Sequence, residues 1–304
     1  MAHSRFFDQV LDELNAGNTQ DGINLLVGML DTVDQRPEFF GAACDELQGH
    51  ALAAMLREDP LFAASPVNPG NDSAMLHLIA TGELAADVSP TGKRLFAATS
   101  RLKLSRALRG RRLAGGERLS RAWQLGRRIC VLGGGILDAA RGLAGRDLGN
   151  ITVVEDDRCL TAKLRCDFGE SFQLIETSSA QFLRGKRGPS QFDVICSVEL
   201  ADTCVSHGLA TLMPAMRRRL APGGTIALAA LTPLHPGCGW RRAYLDWEPG
   251  CHEAESLAAM AAAAGLGARV YHDETSCVVW CEMSAMRDRK ADSLQPSQAT
   301  GGMS

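Results

Sequence analysis

Apolar side chains recur at helical spacing through the first 120 residues. In the segment FFDQVLDELNAG they occur at i, i+3, i+4 and i+7, and a glycine stands at its end. The segments DGINLLVGMLDTV and EFFGAACDELQGHALAAML continue this pattern. The stretch DPLFAASPVNPGNDSAM is rich in Pro, Asn and Gly, so it predicts a loop. We therefore predict a helical N-terminal region over residues 1–120.

From Arg128 onward, short apolar runs alternate with helical segments. The runs are ICVL, NITVVE, FQLIET, FDVICSV and GTIALAAL. This alternation is typical of βαβ units and predicts a parallel sheet with helices on both faces. The runs ARVYHD and SCVVWCEM, separated by ETS, predict an antiparallel hairpin at the sheet edge. The predicted fold is α/β, with a Rossmann-like sheet over residues 121–285 and a disordered polar tail over 286–304.

The cysteines and the hydropathy of the sequence indicate the cellular compartment in which the protein lies. The chain has ten cysteines but no C-x-x-C pair, and Cys130, Cys196 and Cys277 occupy strand-like positions where a free thiol packs as a small apolar group. No run of 18 uncharged apolar residues occurs, which argues against a membrane span. The first residues carry acids where a signal peptide needs an apolar block, so we predict a cytoplasmic protein.

The formal net charge of −3 conceals an asymmetry along the chain. Residues 1–62 are rich in acids, whereas residues 93–128 contain many arginines and lysines against Glu117 alone. The basic stretch is compatible with an anion site or with a solvated helix partly paired with the acidic segment. Its aromatic residues are Phe96 and Trp123, too few for a base-stacking platform, so we predict no nucleic-acid partner.

Three consecutive glycines, Gly133, Gly134 and Gly135, close the first βα turn. Glycine permits positive φ and lets a ligand approach the backbone, and the following helix offers unpaired N–H groups. The next strand ends in Glu155, about 20 residues later, where an acid accepts the hydroxyls of a ribose. The alternative for Glu155 is an acid at a helix N-terminus, favoured by the helix dipole. This pattern predicts a nucleoside-binding edge.

Two further segments narrow the ligand class. ETSSAQFL follows the third strand, where an adenine-binding loop would lie, and LAPGGTIALAA reads as a helix end, a Pro-Gly-Gly turn and a strand. Residues 128–283 thereby resemble class I S-adenosylmethionine-dependent methyltransferases, although the acid that usually precedes the glycine turn is missing near Cys130. The resemblance implies S-adenosylmethionine as cofactor, with a cofactor-binding set of Gly133, Gly134, Gly135, Glu155, Asp156, Ser178, Ser179 and Ser197.

A closer resemblance covers the chain up to about Met283. The segments REDPLFAASPVNPGNDSAMLHLI, SPTGKRLFAATS, SRALRGRR and YLDWEPGCHEAESL resemble a bacterial methyltransferase family that includes enzymes making 3-hydroxypalmitic acid methyl ester. The resemblance implies methyl transfer to the carboxylate of a hydroxy fatty acid or to another small acid. It also implies a set of substrate-binding residues, namely Asp72, Arg109, Arg111, Asp246 and Trp247.

The match to that family is partial. In the loop that is typical of the family, this chain keeps Pro66 and Asp72. Asp202, after the fourth strand, also matches the family. Family Arg, Tyr and Glu residues are replaced at Val67, Pro69, Leu137, Asp138, Ala201, Cys251 and His252. Most of the lost residues would grip a carboxylate or an aromatic ring. The sequence therefore predicts a changed substrate or lost activity.

The chemistry expected at the site depends on the acceptor. A carboxylate nucleophile needs alignment at about 3–3.5 Å but no base, whereas a hydroxyl or amine needs a proton acceptor. The candidates are Asp202 and Glu199 after the fourth strand and His235 after the fifth. The alternatives are a polar loop with a helix cap for the two acids and an ordinary loop histidine. The spacing of His235 relative to nearby Cys and His residues fits no zinc pattern, so we predict no metal.

The function predicted from these features is S-adenosylmethionine-dependent methyl transfer to a small molecule. Two alternatives stay open: a catalytically silent methyltransferase fold that acts by binding, and transfer of an aminopropyl or aminocarboxypropyl group. Against the second, CSVELADT lacks the Asp-rich loop of aminopropyltransferases. The oligomeric state is open, with a homodimer as one option. The N-terminal region is expected to close over the sheet as a lid, with Arg109 and Arg111 either holding an anionic acceptor or clamping the two regions together.

Overall fold

The computed structural model describes residues 3–64, 72–185 and 188–285, without the side chains of Asp72 and Asp138. The predicted tail and the family-loop positions Pro66, Val67 and Pro69 lie outside the described residues. Within them, no helix combines the length and the apolar character needed to cross a bilayer.

Eight helices precede the first strand in the described part of the chain. They are α1 (Ser4–Asn15), α2 (Thr19–Asp34), α3 (Pro37–Gln48), α4 (Ala51–Leu56), α5 (Pro60–Ala63), α6 (Asp72–Thr81), α7 (Pro90–Thr99) and α8 (Lys103–Gln124). The period-3.6 pattern directs one face of each helix inward, as at Phe7, Val10 and Leu14 of α1. The N-terminal helical region is thus present.

Seven strands form one mixed sheet. They are β1 (Ile129–Leu132), β2 (Ile151–Glu155), β3 (Gln173–Glu176), β4 (Phe192–Ser197), β5 (Leu220–Leu231), β6 (Leu266–His272) and β7 (Val278–Ala285), in the order β3-β2-β1-β4-β5-β7-β6. The first five pair in parallel, and β7 lies antiparallel between β5 and β6. The predicted parallel sheet and hairpin are confirmed.

Helices between the strands cover the sheet. They are α9 (Gly135–Ala139), α10 (Arg158–Phe168), α11 (Ser179–Arg184), α12 (Ser206–Arg218), α13 (Cys238–Leu245) and α14 (Ala254–Ala263), with two 3₁₀ turns at Arg141–Leu143 and Leu200–Thr203. One hydrophobic cluster extends from Phe7 of α1 to Trp280 of β7, so the N-terminal helices and one sheet face share a core. A second cluster, including Leu228 and Leu257, covers the other face.

The Pro-Gly-Gly segment differs from its predicted form. The sequence predicted a helix end and a turn before the strand, but α12 ends at Arg218 and β5 already begins at Leu220. Phe192 pairs with Leu220 and Val194 pairs with Thr225, so the segment forms a bulge within the strand. Gly223 takes φ +76° there, a conformation that favours glycine.

The basic helix α8 is neither a plain anion site nor a solvated helix, the two interpretations that its charge allowed. Its Arg111 and Arg112 are buried rather than solvated. Arg118 stacks over the Trp280 ring at 4.0 Å and donates to the Tyr271 hydroxyl and the Glu282 carboxylate. Arg111, Arg112 and Arg118 therefore bind groups of the protein itself and fasten the helical region to the sheet.

Candidate active site

A cavity of about 540 Å³ lies at the carboxyl ends of β1, β2, β3 and β4. The ends of parallel strands meet at this edge, which is where ligands bind in open α/β sheets. Helix α6 contributes Ser73 and Leu76 to its wall, and Trp247 closes another side. Its polar lining comes from Glu155, Asp156, Asp157, Ser178, Ser179, Glu199, Asp202 and Thr203, with Gly133 and Cys204 beside them.

The turn needs glycine for two different reasons, the backbone conformation at one position and close packing at the other two. Gly133 lines the cavity and has φ +93°, which favours glycine. Gly134 has ordinary φ, but a Cβ there would lie 2.7 Å from Cδ1 of Leu164 on α10. A side chain on Gly135 would meet the Arg112 guanidinium at 2.8 Å. Packing against α10 and α8 therefore leaves no room for a side chain at Gly134 or Gly135.

Glu155 is held by three backbone amides. Its Oε2 accepts from the Gly134 N–H at 2.7 Å, and its Oε1 accepts from Asp156 and Asp157 at 2.9 and 2.8 Å. Burial raises the pKa of Glu155, while these hydrogen bonds oppose the rise. A carboxylate has about four acceptor positions, so one stays available for a ligand, and Glu155 lines the cavity. The carboxylate is fixed in orientation before any ligand arrives.

The β2 and β3 ends supply further polar groups. Asp157 caps α10 by accepting from Cys159 and Leu160, and its other oxygen accepts the Ser73 hydroxyl of α6. Ser178 caps α11, accepting from the Gln181 N–H at 3.2 Å. The Ser73 contact ties the helical region directly to this edge of the sheet.

The Ser197 side chain binds main-chain groups of the sheet rather than facing the cavity. Its buried hydroxyl donates to the Leu132 carbonyl at 2.5 Å and accepts from the Leu200 N–H at 3.2 Å. These bonds join the ends of β4 and β1 beneath the cavity, and Ser197 does not line it. The predicted cofactor residues that do line the cavity are Gly133, Glu155, Asp156, Ser178 and Ser179.

Two ion pairs form the opposite wall. Arg111 Nη2 lies 2.5 Å from Asp202 Oδ2, and Arg112 Nε lies 2.5 Å from Glu199 Oε1. Arg112 also donates to the Leu76 carbonyl of α6 at 3.1 Å. The partner of Arg111 in this ion pair is Asp202. Helix α8 is clamped to the end of β4 by these pairs.

The two carboxylates differ in their environment. Burial raises the pKa of Asp202 in spite of the opposing Arg111 charge. Burial also acts on Glu199, but the Arg112 and Arg111 guanidiniums overcome it and hold its pKa below the usual value. Asp202 Oδ1 has no hydrogen-bond partner among the described residues. Burial thus dominates the pKa shift at Asp202, whereas the guanidinium charges dominate at Glu199.

Three predicted residues lie away from the cavity. Arg109 donates to the carbonyls of Ile79 and Ser100 at 3.2 and 2.9 Å. His235 is buried with its Nδ1 3.1 Å from the Pro236 carbonyl, and burial lowers its pKa. Asp246 is exposed at the end of α13 with φ +46°. The structure thus brings Asp202, Glu199 and Trp247 together and leaves Arg109, His235 and Asp246 outside.

Sequence reasoning missed several residues of the site. Arg112 adjoins the recognised Arg111 but was not singled out, and Ser73, Leu76 and Asp157 were not assigned to it. The Asp157 capping position was the available signal, since an Asp before a helix commonly caps it. Across the described ranges, no group of three or more His, Cys, Asp or Glu side chains has the arrangement of a metal site.

Comparison with known proteins places the fold. No family model and no curated protein sequence matches the chain. A solved structure of a possible exported protein from Bordetella parapertussis is similar, with 16% identity, 77% of this chain and 88% of that chain covered, and a TM-score of 0.57. This likeness concerns the fold alone. Together with the sheet topology, it supports the predicted Rossmann-like α/β sheet with a helical N-terminal region.

Two methyltransferase structures are also among the chains similar to this one. The CcbJ methyltransferase from Streptomyces caelestis has 17% identity, covering 58% of this chain and 89% of that one, with a TM-score of 0.43. Magnesium protoporphyrin IX methyltransferase from Synechocystis, solved with bound SAH, has 10% identity, covering 60% and 87%, also with a TM-score of 0.43.

Proposed function

We propose that this protein is an S-adenosylmethionine-dependent methyltransferase that acts on a small molecule. The observation that supports this most is Glu155, a carboxylate oriented by three backbone amides at the end of β2 and facing a cavity beside the Gly133 turn. The cavity volume of about 540 Å³ lies within the range of about 300–1,000 Å³ for small-ligand sites.

The described residues fit such a cofactor. The free acceptor position of Glu155 would take a ribose hydroxyl, since hydrogen bonds to a charged acceptor are strong. Asp156, Ser178 and Ser179 line the neighbouring wall, where the adenine side of the nucleoside would lie. When bound, the cofactor supplies a methyl group activated by a sulfonium. The protein would orient the two reactants and exclude water from them. Helix α6 and Trp247, which line the cavity, would shield it from solvent.

Calorimetric titration with S-adenosylhomocysteine, followed by mass spectrometry of the nucleoside product, tests the proposal. We expect micromolar binding and S-adenosylhomocysteine as product when an acceptor is methylated. Methylthioadenosine as product would instead indicate transfer of an aminopropyl or aminocarboxypropyl group. The absence of binding at high micromolar concentration would contradict the proposal and favour a catalytically silent fold.

The acceptor class expected from the family resemblance, the carboxylate of a hydroxy fatty acid or another small acid, stays a prediction. Of the two arginines proposed to hold it, Arg109 is bound to main-chain carbonyls and Arg111 to Asp202.

A further inference from the structure

A second cavity, of about 690 Å³, lies on one face of the sheet beside the last turns of α8. We call it the trough. Its lining includes Val194, near the amino end of β4, whereas the candidate active site lies at the carboxyl ends of the strands. The described residues that line the trough are all different from those that line the candidate active site. The two cavities are therefore separate sites.

The floor of the trough consists of small side chains on β4, β5, β6 and β7. Thr225 of β5 pairs with Val194 and with Ser284, and Ser284 pairs with Gly267. Directly paired residues point to the same face of a sheet, so these four form one row across it. Small residues do not fill the space beside α8, where Leu125 lines the trough and is 66% exposed. The result is an open site with an apolar wall.

The trough is positively charged. Its charged lining residues are Arg118, Arg121, Arg127, Arg269 and Glu282, which gives the lining a net charge of +3. Glu282 is already bound by Arg118 at 3.1 Å and by the Tyr271 hydroxyl at 2.7 Å. Arg121 and Arg269 are exposed, and within the described ranges neither forms an ion pair. These two guanidinium groups, one on α8 and one on β6, are open to an anionic ligand.

The charge and the apolar surface together define the ligand class. Guanidinium groups bind carboxylate, sulfate and phosphate oxygens through charge-assisted hydrogen bonds, whereas a cation would be repelled by the lining. The apolar surface favours a ligand that also has an apolar body, because its burial removes both surfaces from water. The cavity volume lies within the range of about 300–1,000 Å³ for small-ligand sites.

We infer that the trough is a second ligand site, which takes a small amphipathic anion, that is, an apolar body that carries one carboxylate, sulfate or phosphate group. The inference goes beyond the proposed function, since the trough contains no residue assigned to methyl transfer. A small molecule fits its size better than a second protein, because a stable interface usually involves about 800 Å² of each partner.

Matched probes test the chemistry of the ligand. Decanoate supplies both the anion and the apolar body, decylammonium supplies the same chain with a positive charge, and acetate supplies the anion alone. Isothermal titration calorimetry with monomeric probes measures the three dissociation constants. We expect decanoate to bind at least about tenfold more tightly than decylammonium or acetate. Equal affinities, tighter binding of decylammonium, or no binding of decanoate would overturn the inference.

Two variants test whether decanoate binds in the trough. Thr225→Trp fills the floor, and Arg121→Gln/Arg269→Gln removes the two unpaired charges. All three residues are exposed, so the fold should be kept, and circular dichroism checks it. We expect each variant to weaken decanoate binding at least about fivefold. The matched control, Arg5→Gln/Arg101→Gln, removes two exposed arginines outside the trough and should bind normally. Unchanged affinity in the trough variants, or an equal loss in the control, would overturn the inference.

Other occupants of the trough would give different results. A dimer in sedimentation velocity that Thr225→Trp dissociates would assign the trough to a second copy of the chain. Binding to phosphatidylglycerol vesicles without binding of free decanoate would assign it to a lipid surface. Either result overturns the inference. Titration with S-adenosylhomocysteine is independent of these tests, so its failure would contradict the proposed function alone.

Discussion

The two walls of the cavity fix their carboxylates by different means. On the β2 wall, backbone amides within 21 residues of Glu155 hold its two oxygens. On the β4 wall, Asp202 and Glu199 are held by arginines 91 and 87 residues earlier in the chain. The first wall is a local product of a strand, a glycine turn and a helix. The second exists only after α8 has packed against the sheet.

This difference has an energetic consequence. The main-chain donors of the β2 wall do not depend on a charged partner side chain, so this wall tolerates the loss of a distant charge. Each buried ion pair on the β4 wall depends on both partners, because removing one leaves an uncompensated charge in a desolvated place. Substitutions on the β4 wall should therefore cost stability, while those on the β2 wall should chiefly cost ligand binding.

The largest expected effect comes from Arg111→Met. It leaves Asp202 without its cation, so we expect the free energy of unfolding to fall by about 3–5 kcal/mol. Removing both charges in Arg111→Met/Asp202→Asn should restore most of that loss. Urea unfolding of the three proteins measures this, and a single variant as stable as the unmodified protein would show that the pair does not clamp α8.

Asp59 is a buried carboxyl that, unlike Asp202 and Glu199, has no cationic partner among the described residues. Asp59 is fully buried and accepts from Leu61 N–H, the Thr99 hydroxyl and the Tyr244 hydroxyl at 3.0, 2.9 and 3.1 Å. Burial raises its pKa to about 6, and these hydrogen bonds oppose the rise. The folded state therefore binds the proton more tightly than the unfolded chain, so the stabilising contribution is full below about pH 4 and is lost as the pH rises through about 6.

Asp59→Asn should remove that pH dependence. Relative to the variant, the unmodified protein should lose up to about 3 kcal/mol of unfolding free energy between pH 4 and pH 7, since each pKa unit corresponds to about 1.4 kcal/mol. Urea unfolding of both proteins across this range provides the comparison. A constant difference between the two would mean that Asp59 titrates normally.

On the β2 wall, Glu155→Ala should weaken S-adenosylhomocysteine binding by about 1.5–3 kcal/mol, the range for hydrogen bonds to a charged group. The substitution also leaves the Gly134, Asp156 and Asp157 amides without their acceptor. Calorimetric titration gives the affinity, with circular dichroism as a check of the fold. Unchanged affinity in a folded variant would remove Glu155 from the site.

The smallest effect is expected for Arg109→Met. Arg109 fastens α8 to the carbonyls of Ile79 and Ser100, so we expect a loss of about 1–2 kcal/mol in stability with unchanged S-adenosylhomocysteine affinity. Thermal unfolding and titration together decide this. Normal stability with impaired turnover would return Arg109 to the substrate role first expected for it.

The parts of the fold that are predictable from sequence depend on local patterns. Alternating apolar runs predicted the parallel strands, and the ETS spacing predicted the β6–β7 hairpin. One local detail was wrong, since the Pro-Gly-Gly segment lies within β5. The helical pattern from Glu38 to Leu56 forms two helices, because His50 caps the second by accepting from the Leu52 N–H.

The candidate site divides in the same way. The positions of Gly133 and Glu155 follow from strand, turn and helix order, so the sequence placed them at one edge. The pairing of Arg111 with Asp202 and of Arg112 with Glu199 depends on how α8 crosses the end of β4, which no local pattern specifies. The inward use of the basic helix was unpredictable for the same reason.

The most direct test of the central claim is a crystal structure of the protein with S-adenosylhomocysteine. We expect the ribose hydroxyls to lie within hydrogen-bond distance, about 3 Å, of the Glu155 carboxylate. We also expect the adenine beside Ser178 and Ser179 and the sulfur directed toward Asp202. A nucleoside bound outside this cavity, or one whose ribose makes no contact with Glu155, would contradict it.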